Sequence, residues 1–140
     1  MPSFRELLAQ TKANITEIDP ETAEARVGDA VFLDVREQDE YDAGTIPGSI
    51  HIPRGHLESQ VEPRIPDHDT PIVIYCAGGT RSAFAAETLE QLGYSDVVSM
   101  TGGFGRWKNE GRDWLTPQSL SALSGDRFIK TAWSERMDVD

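Results

Sequence analysis

The sequence contains little of what disulfide-bonded and metal-binding proteins need. It has one cysteine and three histidines among 140 residues. A single cysteine cannot form a disulfide bond within the chain, and these few residues provide no set of ligands with zinc-site spacing. We therefore expect no metal site, and we expect a reducing compartment, which we take to be the cytoplasm.

Long apolar runs and positive charge are also scarce. No segment approaches the ~18 apolar residues of a membrane-spanning helix, and residues 1–14 lack the apolar stretch of a signal peptide. Lys and Arg total 13 against 24 Asp and Glu, a formal net charge of -11. Such a surface repels nucleic acid and anionic lipid. We expect neither as a partner, so any anion-binding site must be a local exception.

Short apolar segments that alternate with helical ones make up the rest of the pattern. The length and the 38% hydrophobic content suit one globular domain. Strands are predicted at residues 14–19, 30–36, 49–52, 72–75 and 96–100. Helices are predicted at 4–12, 20–25, 37–44, 82–92 and 101–111, with a proline-containing connector at 61–71. This alternation predicts an α/β fold with a mostly parallel sheet and helices on both faces.

The segment "YCAGGTRSAF" holds the only cysteine, at a predicted junction between a strand and a helix. Gly78 and Gly79 permit backbone conformations that turn successive N–H groups inward, and a helix start adds positive dipole. Arg81 adds a permanent cation. A free cysteine is often only a small buried hydrophobic residue. In this loop, however, we predict that Cys76 is a nucleophilic thiolate with a lowered pKa.

Three motifs in register resemble those of a single rhodanese domain: "LDVREQDEYDAGTIPGSIHIP", "IVIYCAGGTRS" and "GGFGRW". The resemblance implies a rhodanese-like fold with a five-stranded, mostly parallel sheet. It covers roughly residues 15–114 and divides the chain into an N-terminal helical segment (1–14), a rhodanese domain (15–114) and a C-terminal extension (115–140). The extension is expected to cover apolar surface, with a possible helix at 117–123.

The resemblance also implies the roles of individual residues. Cys76 would be the catalytic residue that carries a sulfane sulfur as a persulfide. The active-site loop would bind the substrate, and it consists of Ala77, Gly78, Gly79, Thr80 and Arg81. Arg36 would either bind substrate or brace the loop, and Asp34 and Ser82 would support it. Thr45 stands where the family often has histidine, and we expect it to anchor a turn rather than to react.

The reaction implied is a double displacement. The Cys76 thiolate would attack the outer sulfur of thiosulfate or of a persulfide, and the bound sulfur would then pass to a thiol or to cyanide. The partners would be a small sulfur donor and, as acceptor, a protein thiol or a sulfur-carrier protein. No cofactor is required.

Several alternatives stay open at this point. The same fold family includes cysteine phosphatases and arsenate reductases, whose arginine lies six positions after the cysteine, whereas Arg81 follows Cys76 by five. A regulatory module that kept the fold without turnover would not need the cysteine. Arg81 has a second role open to it, pairing with an acidic surface residue, and Arg54 and His56 are weaker candidates for the rim of the pocket.

Overall fold

Five strands and six α-helices alternate along residues 2–118, the part of the chain that the computed structural model describes. The first half contains α1 (Phe4–Asn14), β1 (Thr16–Ile18), α2 (Pro20–Glu24), β2 (Val31–Asp34), α3 (Gln38–Ala43) and β3 (Ile50–His51). A 3-10 turn (Arg54–His56) then leads into α4 (Leu57–Arg64), β4 (Ile72–Tyr75), α5 (Thr80–Gln91), β5 (Val97–Met100) and α6 (Gly103–Asn109).

The strands form one sheet in the order β1-β5-β4-β2-β3, and every pairing between neighbouring strands is parallel. The α/β fold predicted from the sequence is thus confirmed, including the five-stranded sheet. Strand β4 lies at the centre, and Cys76 follows its last residue. The carboxyl ends of parallel strands meet at one edge of a sheet, which is where sites form in such folds. The cysteine is therefore at the expected edge.

Apolar layers cover both faces of the sheet. One layer joins Ile72 and Ile74 of β4 to side chains of α4 and α5, namely Leu57, Val61 and Leu89. The other joins Val73 and Tyr75 of β4 to side chains of α2 and α6, namely Ala23, Phe104 and Trp107. Because both faces of β4 are buried, the strand needs an apolar residue at every position, which explains the continuous run at 72–75.

Two predicted segments differ from the structure. The connector predicted over residues 61–71 is wrong in its first part, because α4 extends to Arg64 with Pro63 inside it. Leu57 and Val61 lie one helical turn apart and are fully buried, so packing stabilises a helix that its own sequence favours only weakly. Helix α5 begins at Thr80, slightly before the predicted start near Ser82.

The C-terminal part of the chain is described only to residue 118. Most of the proposed extension 115–140, and most of the helix predicted at 117–123, lies outside the described residues. Leu115 exchanges two backbone hydrogen bonds with Thr45, at 2.8 and 3.0 Å. The chain therefore still contacts the domain at residue 115, and the proposed boundary at residue 114 stays a prediction. Among the helices of residues 2–118, none has the length and apolar character needed to cross a membrane.

The start of helix α6 lies directly against the cysteine loop. The N–H of Phe104 donates to the carbonyl oxygen of Cys76 at 2.8 Å, and the N–H of Gly105 donates to that of Ala77 at 3.1 Å. Gly103 makes this approach possible, because a Cβ atom there would lie 2.6 Å from the carbonyl oxygen of Ala77. Its φ of +57° is also in the left-handed region that favours glycine.

We predict that Gly103→Ala lowers the free energy of unfolding by about 3 kcal/mol, through backbone strain and displacement of the loop. Gly111→Ala is the matched control, since Gly111 also has a positive φ of +84° but no neighbour within 4 Å of the added methyl group. It should cost only about 1 kcal/mol. Urea denaturation measures both, and equal losses would show that the close approach at Gly103 is unimportant.

Candidate active site

The Cys76 sulfur is buried at the start of helix α5. The residue is 1% exposed. Its Sγ accepts hydrogen bonds from the N–H of Gly79 at 3.1 Å and from the N–H of Ser82 at 3.3 Å. Gly79 precedes the helix in a left-handed conformation, with φ 106°, which favours glycine at this position. The sulfur thus accepts from N–H groups that a helix start leaves without intrahelical partners.

A pair of buried hydroxyl groups extends the contacts of the sulfur. The Oγ of Ser82 lies 3.6 Å from Cys76 Sγ and 2.9 Å from the Oγ of Ser99 in β5. Both serines are fully buried. A thiolate can only accept hydrogen bonds, so Ser82 must then donate to the sulfur, and Ser99 must donate to Ser82. Sequence reasoning missed Ser99, whose only signal is a polar residue inside the apolar run of β5.

Opposing influences set the pKa of Cys76. Burial is the largest single one, and it raises the pKa because it disfavours the charged form. Hydrogen bonds from Ser82, Gly79 and Gly78 act in the other direction, and together they bring the pKa below its ordinary value. This is the direction that the sequence predicts. The net lowering of the pKa is caused by hydrogen bonds at the helix start, which together outweigh burial because they stabilise the thiolate directly.

The cation of the loop is paired with a carboxylate. The two terminal nitrogens of Arg81 lie 2.7 and 3.0 Å from the two carboxylate oxygens of Glu40 in α3. These hydrogen bonds hold the pKa of Glu40 at about 2. Of the two roles open to Arg81, pairing with an acidic residue is present in the structure. Binding of a substrate anion by Arg81 stays a prediction, and such an anion must compete with Glu40.

Arg36 and Asp34 form a buried pair next to the loop. The Nε of Arg36 and one of its terminal nitrogens lie 3.0 and 2.7 Å from the two carboxylate oxygens of Asp34. The guanidinium group also donates to the carbonyl oxygen of Gly44 and lies 4.4 Å from the centre of the Phe104 ring. The guanidinium group is thus engaged inside the protein. Bracing by Arg36 is present in the structure, and substrate binding by Arg36 stays a prediction.

Asp34 acts as a shared acceptor in this network. Besides the Arg36 side chain, it accepts from the backbone N–H of Arg36 at 3.0 Å and from the hydroxyl of Thr45 at 3.0 Å. The Thr45 hydroxyl also lies 2.8 Å from that of Tyr75. Thr45 is buried and fixes its turn, which is the anchoring role that we expect from the sequence.

The other candidates lie around this centre or away from it. Ala77, Gly78 and Thr80 are exposed, so the loop is open to substrate on its outer side. Arg54 pairs with Glu58 and with the hydroxyl of Thr88, two turns along α5 from the loop. Within residues 2–118 no group of three His, Cys, Asp or Glu side chains could hold a metal ion.

We predict that Ser82→Ala and Ser99→Ala both move the pH dependence of Cys76 alkylation to higher pH. Each variant removes part of the chain of donors that stabilises the thiolate. The alkylation rate near neutral pH should fall roughly tenfold for Ser82→Ala and roughly threefold for Ser99→Ala, since one hydrogen bond contributes about 1 kcal/mol. Iodoacetamide labelling followed by intact mass measures this.

Ser95→Ala serves as the control, because the Ser95 hydroxyl bonds to Asp69 at the surface. It should leave the alkylation profile unchanged. If Ser99→Ala behaved like this control, the hydroxyl of Ser99 would have no part in stabilising the thiolate.

Comparison with known proteins identifies the family of this chain. The family model described as a rhodanese-like domain matches residues 19–110. The thiosulfate sulfurtransferase GlpE of Pseudomonas fluorescens (strain SBW25) is 39% identical over 92 residues, which cover 65% of this chain and 83% of that protein.

Solved structures are similar over most of the chain. A protein of unknown function from Rhodopseudomonas palustris, described as a possible tyrosine phosphatase, has a TM-score of 0.73 and 32% identity over 81% of this chain and 98% of its own. The polysulfide-sulfur transferase homodimer of Wolinella succinogenes has a TM-score of 0.71 and 28% identity over 80% of this chain and 86% of its own. Since the family model spans well over half of the sequence, this chain belongs to the family of rhodanese-like domains.

Proposed function

We propose that this protein is a sulfurtransferase that carries a sulfane sulfur on Cys76 as a persulfide. The observation that carries the proposal is the convergence of the Gly79 and Ser82 N–H groups and the Ser82 hydroxyl on one sulfur atom. Membership of the rhodanese-like family supports it. So do the names of similar proteins, a thiosulfate sulfurtransferase and a polysulfide-sulfur transferase.

The first step forms the persulfide. The Cys76 thiolate attacks the outer sulfur of the donor, so a sulfur–sulfur bond forms while the bond from that sulfur to the rest of the donor breaks. The electron pair leaves with sulfite when the donor is thiosulfate, or with a thiolate when the donor is a persulfide. No proton has to move, because the hydrogen bonds to Cys76 keep the thiolate available.

The second step needs donors for the outer sulfur. The first N–H groups of a helix have no partners within the helix. In α5 those of Gly79 and Ser82 bond to Cys76 Sγ, which leaves those of Thr80 and Arg81 for the transferred sulfur. An acceptor thiolate, on a small molecule or on a partner protein, then attacks the outer sulfur. A new sulfur–sulfur bond forms while the bond to Cys76 Sγ breaks, and the electron pair returns to Cys76 as the thiolate. This cycle uses no metal ion and no organic cofactor.

Phosphatase activity is the second candidate, because the similar Rhodopseudomonas palustris protein is described as a possible tyrosine phosphatase. Two features of the loop argue against phosphatase activity. Arg81 follows Cys76 by five positions, which makes a smaller ring of donors than a phosphate with its several oxygens requires. The terminal nitrogens of Arg81 are also occupied by Glu40. Both features favour a single sulfur atom as the bound group.

We predict that incubation with thiosulfate adds the mass of one sulfur atom to the wild-type protein, and that a thiol reductant removes it. Cys76→Ser should show no such adduct and should lose at least about a thousandfold in sulfur transfer to cyanide, because the nucleophile itself is removed. Intact mass spectrometry and thiocyanate formation measure the two effects.

The same preparations should release no appreciable phosphate from an aryl phosphate. An adduct that persisted in Cys76→Ser would contradict the assignment of the carrier residue. Brisk phosphate release without sulfur transfer would instead favour the phosphatase.

A further inference from the structure

The charged side chains at the entrance to the site, Arg81 and Glu40, do not favour the binding of a small dianion. Arg81 supplies the cation of the loop, but both of its terminal nitrogens already bond to Glu40. The side chains of Arg81 and Glu40 are 35% and 31% exposed, and Arg81 lies close enough to Cys76 to interact with it electrostatically. Glu37, which precedes α3, also acts electrostatically on Arg81. Two carboxylates therefore act on one cation, which also interacts with Cys76.

The second arginine of the region does not change this balance. Arg36 interacts with Glu40 electrostatically, but its charge is compensated by the carboxylate of Asp34 at 2.7 Å. The charged groups that act on the Arg81–Glu40 pair are therefore Glu37, Cys76 and Arg36, and the charge of Arg36 is balanced by Asp34. A thiosulfate dianion must displace Glu40 from Arg81 or approach against its charge.

We propose that Glu40 determines donor specificity by disfavouring thiosulfate and favouring donors of low negative charge, namely alkyl persulfides. The inference rests on the sulfur transfer proposed above. An alkyl persulfide has no sulfonate group that needs a cation. Its outer sulfur requires only the N–H groups of the loop, which remain available while Arg81 stays paired with Glu40.

The transfer from an alkyl persulfide balances without a further reactant. The Cys76 thiolate attacks the outer sulfur of R–S–SH, and a new sulfur–sulfur bond forms as the original one breaks. The electron pair leaves on the inner sulfur as the thiolate RS⁻, and the proton stays on the transferred sulfur until solvent takes it. One thiolate is consumed and one is formed, so no oxidant or reductant is involved.

Donors that differ in charge test the proposal. Thiosulfate is a dianion, methanethiosulfonate is a monoanion, and the persulfide of cysteamine is a zwitterion or a cation. The rate of Cys76 persulfide formation with each donor is followed by intact mass in wild type, Glu40→Gln and Asp42→Asn. Gln at position 40 can still accept the N–H of Glu37, as Glu40 does at 2.9 Å. Asp42→Asn removes one charge from the same helix at an exposed residue bonded to Gln38.

We expect Glu40→Gln to raise the second-order rate about tenfold with thiosulfate and about threefold with methanethiosulfonate, because a repulsive charge close to the anion is removed. The rate with cysteamine persulfide should change less than about twofold, since this donor has no net negative charge. Asp42→Asn should leave all three rates within about twofold of wild type.

A change of equal size with all three donors would overturn the proposal, because it would indicate that Glu40 only positions the loop. If no donor loaded Cys76, the sulfur transfer itself would be wrong, and the inference would fall with it. Should Glu40→Gln not fold, Glu40→Ala takes its place, with the same expected changes. Added potassium chloride should raise the thiosulfate rate of the wild type more than that of the Glu40 variant, because less repulsion is left to screen in the variant. An equal rise in both would overturn the proposal.

Discussion

One requirement explains how the elements around Cys76 are arranged: a negatively charged sulfur has to be stabilised away from bulk water. Burial alone raises the pKa of Cys76 and would leave an inert thiol. The apolar strand β4 brings the residue into the interior, and the start of α5 supplies the N–H groups that reverse the effect of burial. A loop that meets both conditions must turn tightly, which explains the left-handed glycine just before α5. The position of α6 follows as well, since its first N–H groups satisfy the carbonyl oxygens of the same loop.

Two acid–arginine pairs surround the loop, and their different burial gives them different roles. Asp34 and Arg36 are almost fully buried, and further hydrogen bonds from Thr45 and to Gly44 satisfy them. Breaking such a pair leaves an uncompensated charge inside the protein, so this pair is a permanent brace. Glu40 and Arg81 are about one third exposed, and a pair in that position is only weakly stabilising. This second pair can therefore respond to the charge of a ligand at little cost to the fold.

Local sequence patterns predict much of this arrangement. The strand at 72–75 is apolar on both faces, and the two glycines and the arginine beside Cys76 mark an anion-binding helix start. Those signals lie within ten residues of one another. The partners of the site lie much farther apart in sequence: Ser99 reaches the sulfur through Ser82, and Glu40 reaches Arg81 across the sheet edge. Nothing in the local sequence distinguishes Ser99 from other serines or Glu40 from the other acidic residues of its helix. Their roles become visible only when the fold brings Ser99 to Ser82 and Glu40 to Arg81. Helix α4 could not be predicted from local patterns either, because its stability comes from the burial of Leu57 and Val61 rather than from local helix preference.

The central claim is that backbone N–H groups stabilise the thiolate of Cys76, and amide NMR as a function of pH tests it most directly. The amide protons of Gly79 and Ser82 should shift downfield together as the thiolate forms, with a single midpoint below the ordinary cysteine value of about 8.5. The shifts should be missing in Cys76→Ser. The account would be contradicted if these two amide resonances stayed constant through the titration. It would also be contradicted if they shifted with a midpoint only near pH ~8.5.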